Sequence, residues 1–294
     1  MFARPTAAVL LLATMGAAPA RSPATDARAK WTQQCKDWDD WTKPAPPFKI
    51  FGNTYYVGTC GISSILIDSG PGAIVIDGGP ASAGGLVANN IRALGFKLSH
   101  VTLLLHSHEH HDHVGGLAEL QRLTGAPVFA SPAAARVLTS GTPGRGDPQF
   151  ADHGTFPPVE VSHTVRDGET VKSGEVSVRG LATPGHTPGA MSWQWRSCEG
   201  AVCKTIVYAD SLSPVSSKGY RFSDHPAYLA AYRASLARIA ALKCDILLSP
   251  HPSASRMRDR LLKGDLIDPE GCKAYARRLG KQLDERLAKE ADGG

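Results

Sequence analysis

Residues 101–113 read Val101-Thr102-Leu103-Leu104-Leu105-His106-Ser107-His108-Glu109-His110-His111-Asp112-His113. The first five form a short apolar run that suits a buried strand. The next eight carry five imidazoles and two carboxylates, and Val114-Gly115-Gly116 then turns the chain into a helix. A strand end is where a rigid scaffold can present reactive groups. In extended backbone, alternation puts His108 and His110 on one face and Glu109 and His111 on the other. Asp112 and His113 follow at the turn and can aim at a second point nearby. Imidazole and carboxylate together suit zinc, which accepts a mixed nitrogen and oxygen shell. His111 is expected to face away from the metal. His106 shares the parity of the ligands and fits a supporting role behind them.

Two isolated histidines extend the pattern. His186 lies in Thr183-Pro184-Gly185-His186-Thr187-Pro188-Gly189, after the strand-like run Val176–Ala182, and His251 lies in Ser249-Pro250-His251-Pro252, after Asp245–Ser249. With them, His108, His110 and His186 can hold one zinc, and Asp112, His113 and His251 a second. Three protein ligands per ion leave a position open, the pattern of a catalytic site; a structural site is closed by four. His153, His163 and His225 have no such context and are expected to play ordinary roles.

The rest of the chain alternates strands and helices. β-like runs at 48–51, 54–57, 62–67 and 73–76 are separated by glycine-rich breaks. A helix over 83–94, the strand 101–105, a helix over 114–123 and a short strand at 128–130 follow. Residues 140–158 form a long Gly/Pro/Asp-rich loop, of a length often used for lids or binding loops. A second β-rich block comprises 159–163, 176–182, 191–195 and 205–208. Helices are expected over 227–242 and 271–289, with the strand 245–249 between them. Strands then helices, twice, predicts two sheets packed face to face with helices outside: a four-layer αββα sandwich of the α/β (α+β) class.

Composition narrows the function classes. Hydrophobic residues at 42% and charged residues at 20% are ordinary for a globular chain. The net charge of +5 is spread without a long Lys/Arg run, so no nucleic-acid partner is expected. Residues 1–20 have a positive start at Arg4, a short apolar stretch and Ala18-Pro19-Ala20, the features of a cleaved signal peptide. The apolar stretch is too short to span a bilayer, so no membrane contact is expected of the mature form. Its removal takes away one Arg and no acid, leaving +4. Residues 21–46 are polar and proline-bounded and read as an extended N-terminal arm; residues 47–294 are read as one domain. Six cysteines in an exported chain suggest disulfides, and fifteen pairings are open. Cys198 and Cys203, around a hairpin-like loop, are the easiest local pair.

The order His108-x-His110-x-Asp112-His113, His186, His251 resembles the signature of the metallo-β-lactamase superfamily, over roughly residues 35–290 by element order. The three histidines at the first zinc, and a histidine at the second, are similar to subclass B3. Tyr208-Ala209-Asp210-Ser211-Leu212-Ser213 resembles the B3 segment in which Ser replaces the Cys or bridging Asp of relatives. That resemblance implies that Ser211 and Ser213 bind the substrate carboxylate, and that Cys244 pairs with Cys272. It also implies two further bridges, Cys35–Cys60 and Cys198–Cys203. Asp210 adjoins the place where thioester hydrolases of this fold put a bridging carboxylate; the Ser-x-Ser pattern favours a supporting role. The implied activity is hydrolysis of the β-lactam amide by two Zn²⁺ per chain that activate a shared water, with Asp112 orienting the nucleophile. The implied setting is a monomer in the periplasm or outside the cell, conferring antibiotic resistance. The alternatives are a thioester or lactone hydrolase of the same fold, and a non-catalytic periplasmic zinc-binding protein. A serine β-lactamase is disfavoured because Ser217-Lys218 lacks the Ser-x-x-Lys spacing.

Overall fold

In the computed structural model the described residues are Met1, 23–36 and 38–292. The expected leader, apart from Met1, lies outside them. Short strands, several of them buried on both faces, build two sheets among the described residues. The first runs in sequence order through β1 (Phe48–Phe51), β2 (Thr54–Tyr56), β3 (Ile65–Asp68), β4 (Ala73–Ile76), β5 (Val101–Leu105), β6 (Val128–Ala130) and β7 (Val161–Thr164). The second contains β8 (Thr170–Ser173), β9 (Val176–Ala182), β10 (Met191–Glu199), β11 (Val202–Tyr208) and β12 (Ile246–Leu248), in the order β12-β11-β10-β9-β8. Pairs up to β3–β4 are antiparallel, whereas β4 to β7 pair in parallel, as do β11 and β12.

Parallel neighbours need crossovers, and helices supply them. α2 (Gly84–Ala93) joins β4 to β5, α3 (His111–Val114) and α4 (Leu117–Thr124) join β5 to β6, and α5 (Pro132–Ser140) joins β6 to β7. α6 (Pro226–Ala241) joins β11 to β12, before α7 (Met257–Leu262) and α8 (Gly271–Ala291). Alternation sorts the side chains. Ile65 and Ile67 of β3 pack inward on Met191, Trp193 and Tyr208 of the second sheet, while Leu66 faces Val87, Ile91 and Leu117 of the outer helices. Val207 and Leu247 face Tyr232, Leu236 and Leu279 of α6 and α8. Three apolar layers between four structural ones make the αββα sandwich that the element order predicts.

The N-terminal segment departs from expectation. Residues 23–34 form a helix, α1 (Pro23–Gln34), and not an extended arm. Its Ala, Lys, Arg and Gln are good helix formers, and Pro23 sits where proline is tolerated. Trp31, 1% exposed, packs edge-on against Phe48 and Tyr56 inside the main core. β8, α5 and α7 also lie outside the expected elements. The local signals for α5 were present: Ser131 caps it, Pro132 opens it, and Gly141 closes it at φ +66°.

All three expected disulfides are formed. Cys35–Cys60 ties the end of α1 to the loop before β3, Cys198–Cys203 closes the β10–β11 hairpin, and Cys244–Cys272 fastens α8 beside β12. Arginines cover the two apolar sheet edges: Arg28 donates to the Lys49 and Ile50 carbonyls of β1, and Arg260 to the Leu247 carbonyl of β12. The edges at β7 and β8 carry Ser162, His163 and Lys172 instead. Among the described residues, no helix is long and apolar enough to cross a membrane.

If α1 is an integral part of the core, Trp31→Ala should cost about 3–5 kcal/mol, the usual loss for a large buried aromatic. Denaturant melts of the purified chain measure it. A cost below ~1 kcal/mol, typical of surface positions, would return the segment to the status of a loose arm.

Candidate metal centre

The candidate ligands sit just past strand ends on one rim of the sandwich. His106–His113 follow β5, His186 lies between β9 and β10, Asp210 to Ser213 follow β11, and His251 follows β12. Asp77, one residue past β4, anchors the histidine loop. Its buried carboxylate accepts from the Ser107 amide at 2.6 Å, Ser107 Oγ at 2.7 Å and the Tyr208 hydroxyl at 2.7 Å. Asp77 holds φ at +64°, a conformation that non-glycine residues adopt only when their surroundings impose it. Glu109 faces away from the cluster, as alternation predicts, and ties in the next loop. It accepts from Thr187 Oγ1 at 2.6 Å and the Gly189 amide at 2.8 Å. Burial pushes its carboxyl up to about 7. Gly185, before His186, packs against Tyr232 so closely that a Cβ would collide with the ring.

Two donor groups result. One ligand atom each from His108, His110 and His186 lie within 4.8 Å of one another. His113 Nε2 lies 3.0 Å from Asp112 Oδ2 and 3.3 Å from His251 Nε2, and His251 Nε2 lies 3.5 Å from the same Asp112 oxygen. A tetrahedral zinc with arms of about 2.0–2.1 Å sets neighbouring donors about 3.3 Å apart, so the second group has the right span. The groups adjoin: His108, Asp112 and His113 also fall within 4.8 Å.

In His108, His110 and His186 one ring nitrogen is engaged by the protein, which aims the other. His108 Nδ1 is 2.8 Å from Asp210 Oδ1, and its Nε2 is buried with no hydrogen-bond partner. His110 Nε2 is 2.8 Å from Asp147 Oδ2, and His186 Nδ1 is 3.0 Å from the Ser213 carbonyl. His113 Nδ1 faces Asp77 at 3.7 Å. Burial, aided by neighbouring imidazoles, holds His108 and His110 far below the usual histidine range, His186 down to about 3 and His251 down to about 4. Neutral imidazoles are the form that binds metal. Burial alone would lower His113, but the Asp112 carboxylate outweighs it and lifts the group to about 10. The same contact pulls Asp112 down against its own burial. An orphaned Nε2 on a neutral His108, and a buried Asp112 carboxylate shared by His113 and His251, are a donor set that fits a divalent cation.

Asp210 therefore stands behind His108 and belongs to neither donor group, in keeping with the supporting role. His106 is likewise behind: its Nε2 accepts from the Ser131 amide, and its carbonyl from Trp193 Nε1. His111 lies outside both groups, its Nδ1 2.9 Å from His153 Nδ1. His153 is less ordinary than its context suggests, because it stacks on His110 and lines the cavity. That cavity, about 570 Å³, opens onto His110, Asp112, His186 and His251. Ser211 and Ser213 line it too. Ser211 Oγ is buried without a partner, and Ser213 Oγ lies 3.1 Å from His186 Nδ1. Leu212 between them sits at φ +43°.

Nothing in the sequence singled out Gln149, Trp38 or Trp41 as cavity residues, or Asp147 as the partner of His110. Asp147 and Gln149 come from the long loop, whose length was the one available signal. Trp38 (79% exposed) and Trp41 (41%) come from the segment read as an arm, where two tryptophans in an otherwise polar stretch were the available signal.

Known proteins share this arrangement. A family model described as the metallo-beta-lactamase superfamily matches residues 57–251. The MIM-2 metallo-β-lactamase superposes with a TM-score of 0.87 at 54% identity, over 90% of this chain and 98% of that one. MEM-A1, a subclass B3 metallo-β-lactamase isolated from a soil metagenome library, superposes with a TM-score of 0.84 at 46% identity, over 87% and 100%. The hydroxyacylglutathione hydrolase of Methylococcus capsulatus is 32% identical over 146 residues, 49% of this chain and 47% of that one. The chain spans about half the length of the curated relatives it matches first in sequence. By the matched family model and by near full-length likeness to solved B3 enzymes, the chain belongs to the metallo-β-lactamase superfamily, in subclass B3.

Proposed function

We propose that this chain hydrolyses the amide bond of β-lactams (penicillins, cephalosporins and carbapenems) with two Zn²⁺. The observation that carries the reading is the convergence of six side chains from three loops at one open cavity, onto which His110, Asp112, His186 and His251 open directly. His108, His110 and His186 would hold the first ion, and Asp112, His113 and His251 the second. Zinc bound there supplies Lewis acidity and brings the pKa of water toward neutrality. The net reaction adds water across the lactam C–N bond: hydroxyl to the carbonyl carbon, proton to the nitrogen.

The protein's own groups do the rest. Asp112 turns Oδ2 to His113 and His251, which leaves Oδ1 to orient the attacking water. Ser211 Oγ, buried and unpartnered, is an available donor for the substrate carboxylate, with Ser213 Oγ beside it. Asp210, Asp147 and the Ser213 carbonyl fix imidazole orientation, a task that such outer partners perform in metal sites generally. No covalent intermediate on a side chain is needed. All six donors come from one chain, so a monomer is sufficient.

The hydroxyacylglutathione hydrolase likeness keeps a thioester reading in view. The position of Asp210 argues against it, because a bridging carboxylate would have to face both donor groups and this one faces His108 Nδ1 alone. A non-catalytic zinc binder is disfavoured by the open cavity against the donors. Three disulfides support an oxidising compartment, the periplasm or beyond, reached with the leader at 1–20, where β-lactam hydrolysis would confer resistance.

Carbapenem and nitrocefin turnover should be lost on chelation and restored by zinc, and should exceed turnover of an S-acyl glutathione. The reverse preference would overturn the substrate assignment. His108→Ala should remove most zinc from the first group and nearly all activity; normal hydrolysis by this variant would refute the ligand set. Asp210→Ala should weaken that group's affinity by ~10–100-fold, the usual effect of losing an outer partner. Competition with a chelating dye measures it, and unchanged affinity would show that Asp210 does not orient His108.

A further inference from the structure

Ser213, Pro214 and Val215 line the cavity at the start of a stretch without strand or helix that runs to Arg221. The near end of this wall is fixed by two tyrosines. The Tyr275 hydroxyl is 2.8 and 2.7 Å from the Asp210 and Ser211 carbonyls, and the Tyr232 hydroxyl donates to the Leu212 carbonyl at 2.7 Å. The far end rests on the last turns of α8. Arg286 Nη2 donates to Ser216 Oγ and to the Tyr220 carbonyl, both at 2.9 Å, and its Nε donates to Glu290 Oε1 at 2.9 Å. Glu290 is fully buried and also accepts from the Phe222 amide at 3.0 Å and the Ser223 amide at 2.9 Å. Arg221 donates to its carbonyl. One more bond carries the restraint across the cavity rim: the Ser217 amide donates to the Pro148 carbonyl at 2.9 Å, between Asp147 and Gln149.

Neither Arg286 nor Glu290 lines the cavity. A buried carboxylate near the end of a terminal helix is costly unless every oxygen is satisfied, and terminal turns ordinarily fray. Here the satisfied carboxylate joins that helix end to the short 3-10 turn Phe222–Asp224 that closes the irregular stretch, and Arg286 beside it holds Ser216 and Tyr220 within the stretch.

We propose that Arg286 and Glu290 are positioning residues for the substrate. They fix the Pro214–Val215 wall and, through Ser217 and Pro148, the loop that carries Gln149, so they set the width of the cavity. The proposal rests on the β-lactam reading of that cavity and names the residues that tune its selectivity. If loss of the clamp leaves the wall ordered about one-tenth of the time, apparent affinity falls about tenfold.

The test compares the zinc-loaded wild-type chain with Arg286→Ala and Glu290→Gln. For a β-lactam with a bulky aryl side chain, Arg286→Ala should raise KM about tenfold with kcat within about threefold, a loss of binding and not of chemistry. Zinc per chain should not change. Hydrogen–deuterium exchange should show lost protection at Ser217, Phe222 and Ser223 but not in β10 or β11. Glu290→Gln keeps an oxygen for one amide and loses the ionic partner, so it should move KM the same way by less. Unchanged KM in both variants, a fall in kcat at constant KM, or protection retained at those amides would each overturn the proposal. If Arg286→Ala does not fold, Glu290→Gln carries the same comparison. If the wild-type chain turns over no β-lactam, the substrate reading has failed, and the exchange data still decide whether the clamp orders the wall.

Discussion

An imidazole has two nitrogens, and in a dry interior neither can be left to water. The site depends on how that requirement is met. Three of the candidate histidines give one nitrogen to a group of the protein: His108 to Asp210, His110 to Asp147, and His186 to the Ser213 carbonyl. The remaining nitrogen is then fixed in direction and, because burial keeps these three rings neutral, bears a lone pair. Partners from different loops point those lone pairs inward, and the geometry that follows is complementary to a small divalent ion. The fold's part is to deliver the partners: Asp77 and the histidine loop from the first sheet, Asp210 and His251 from the parallel pair in the second.

The elements that were legible in the sequence are those whose cause is local. β1, β4, β5, β6 and β9 match the expected runs residue for residue, because each is a short apolar or alternating stretch between glycine or proline breaks. The metal cluster was legible for a similar reason. Four donors within six positions at a strand end have few other uses, and His186 and His251 stood in turns directly after strands. What escaped depends on contacts between distant segments. α1 is polar on average and reveals its place only through Trp31 and its aromatic neighbours. Asp147 is one acid among many until the fold sets it beside His110. Trp38 and Trp41 belong to the cavity because Cys35–Cys60 holds their segment near the loop before β3.

The substrate side of the cavity is built on backbone strain. Leu212 at φ +43° turns Ser211 and Ser213 toward the donors, and the hydroxyls of Tyr232 and Tyr275 hold the three carbonyls around it. Such conformations cost of order 1–3 kcal/mol and persist where neighbours over-determine them. Helices α6 and α8 thus do more than cover a sheet face. The same α8 that buries Leu279 and Leu283 against the second sheet also presents the tyrosine that locks the serine turn.

Arg28 and Arg260 have a consequence away from the site. Arg28 occupies two carbonyls of Phe48–Phe51 and Arg260 one of Ile246–Leu248, the sheet borders among the described residues that are rich in aliphatic and aromatic side chains. An open border of that kind is a template on which another copy can add a strand, the first step toward insoluble fibres. With its own cations seated there, each border keeps fewer free acceptors for a strand added from a neighbouring copy.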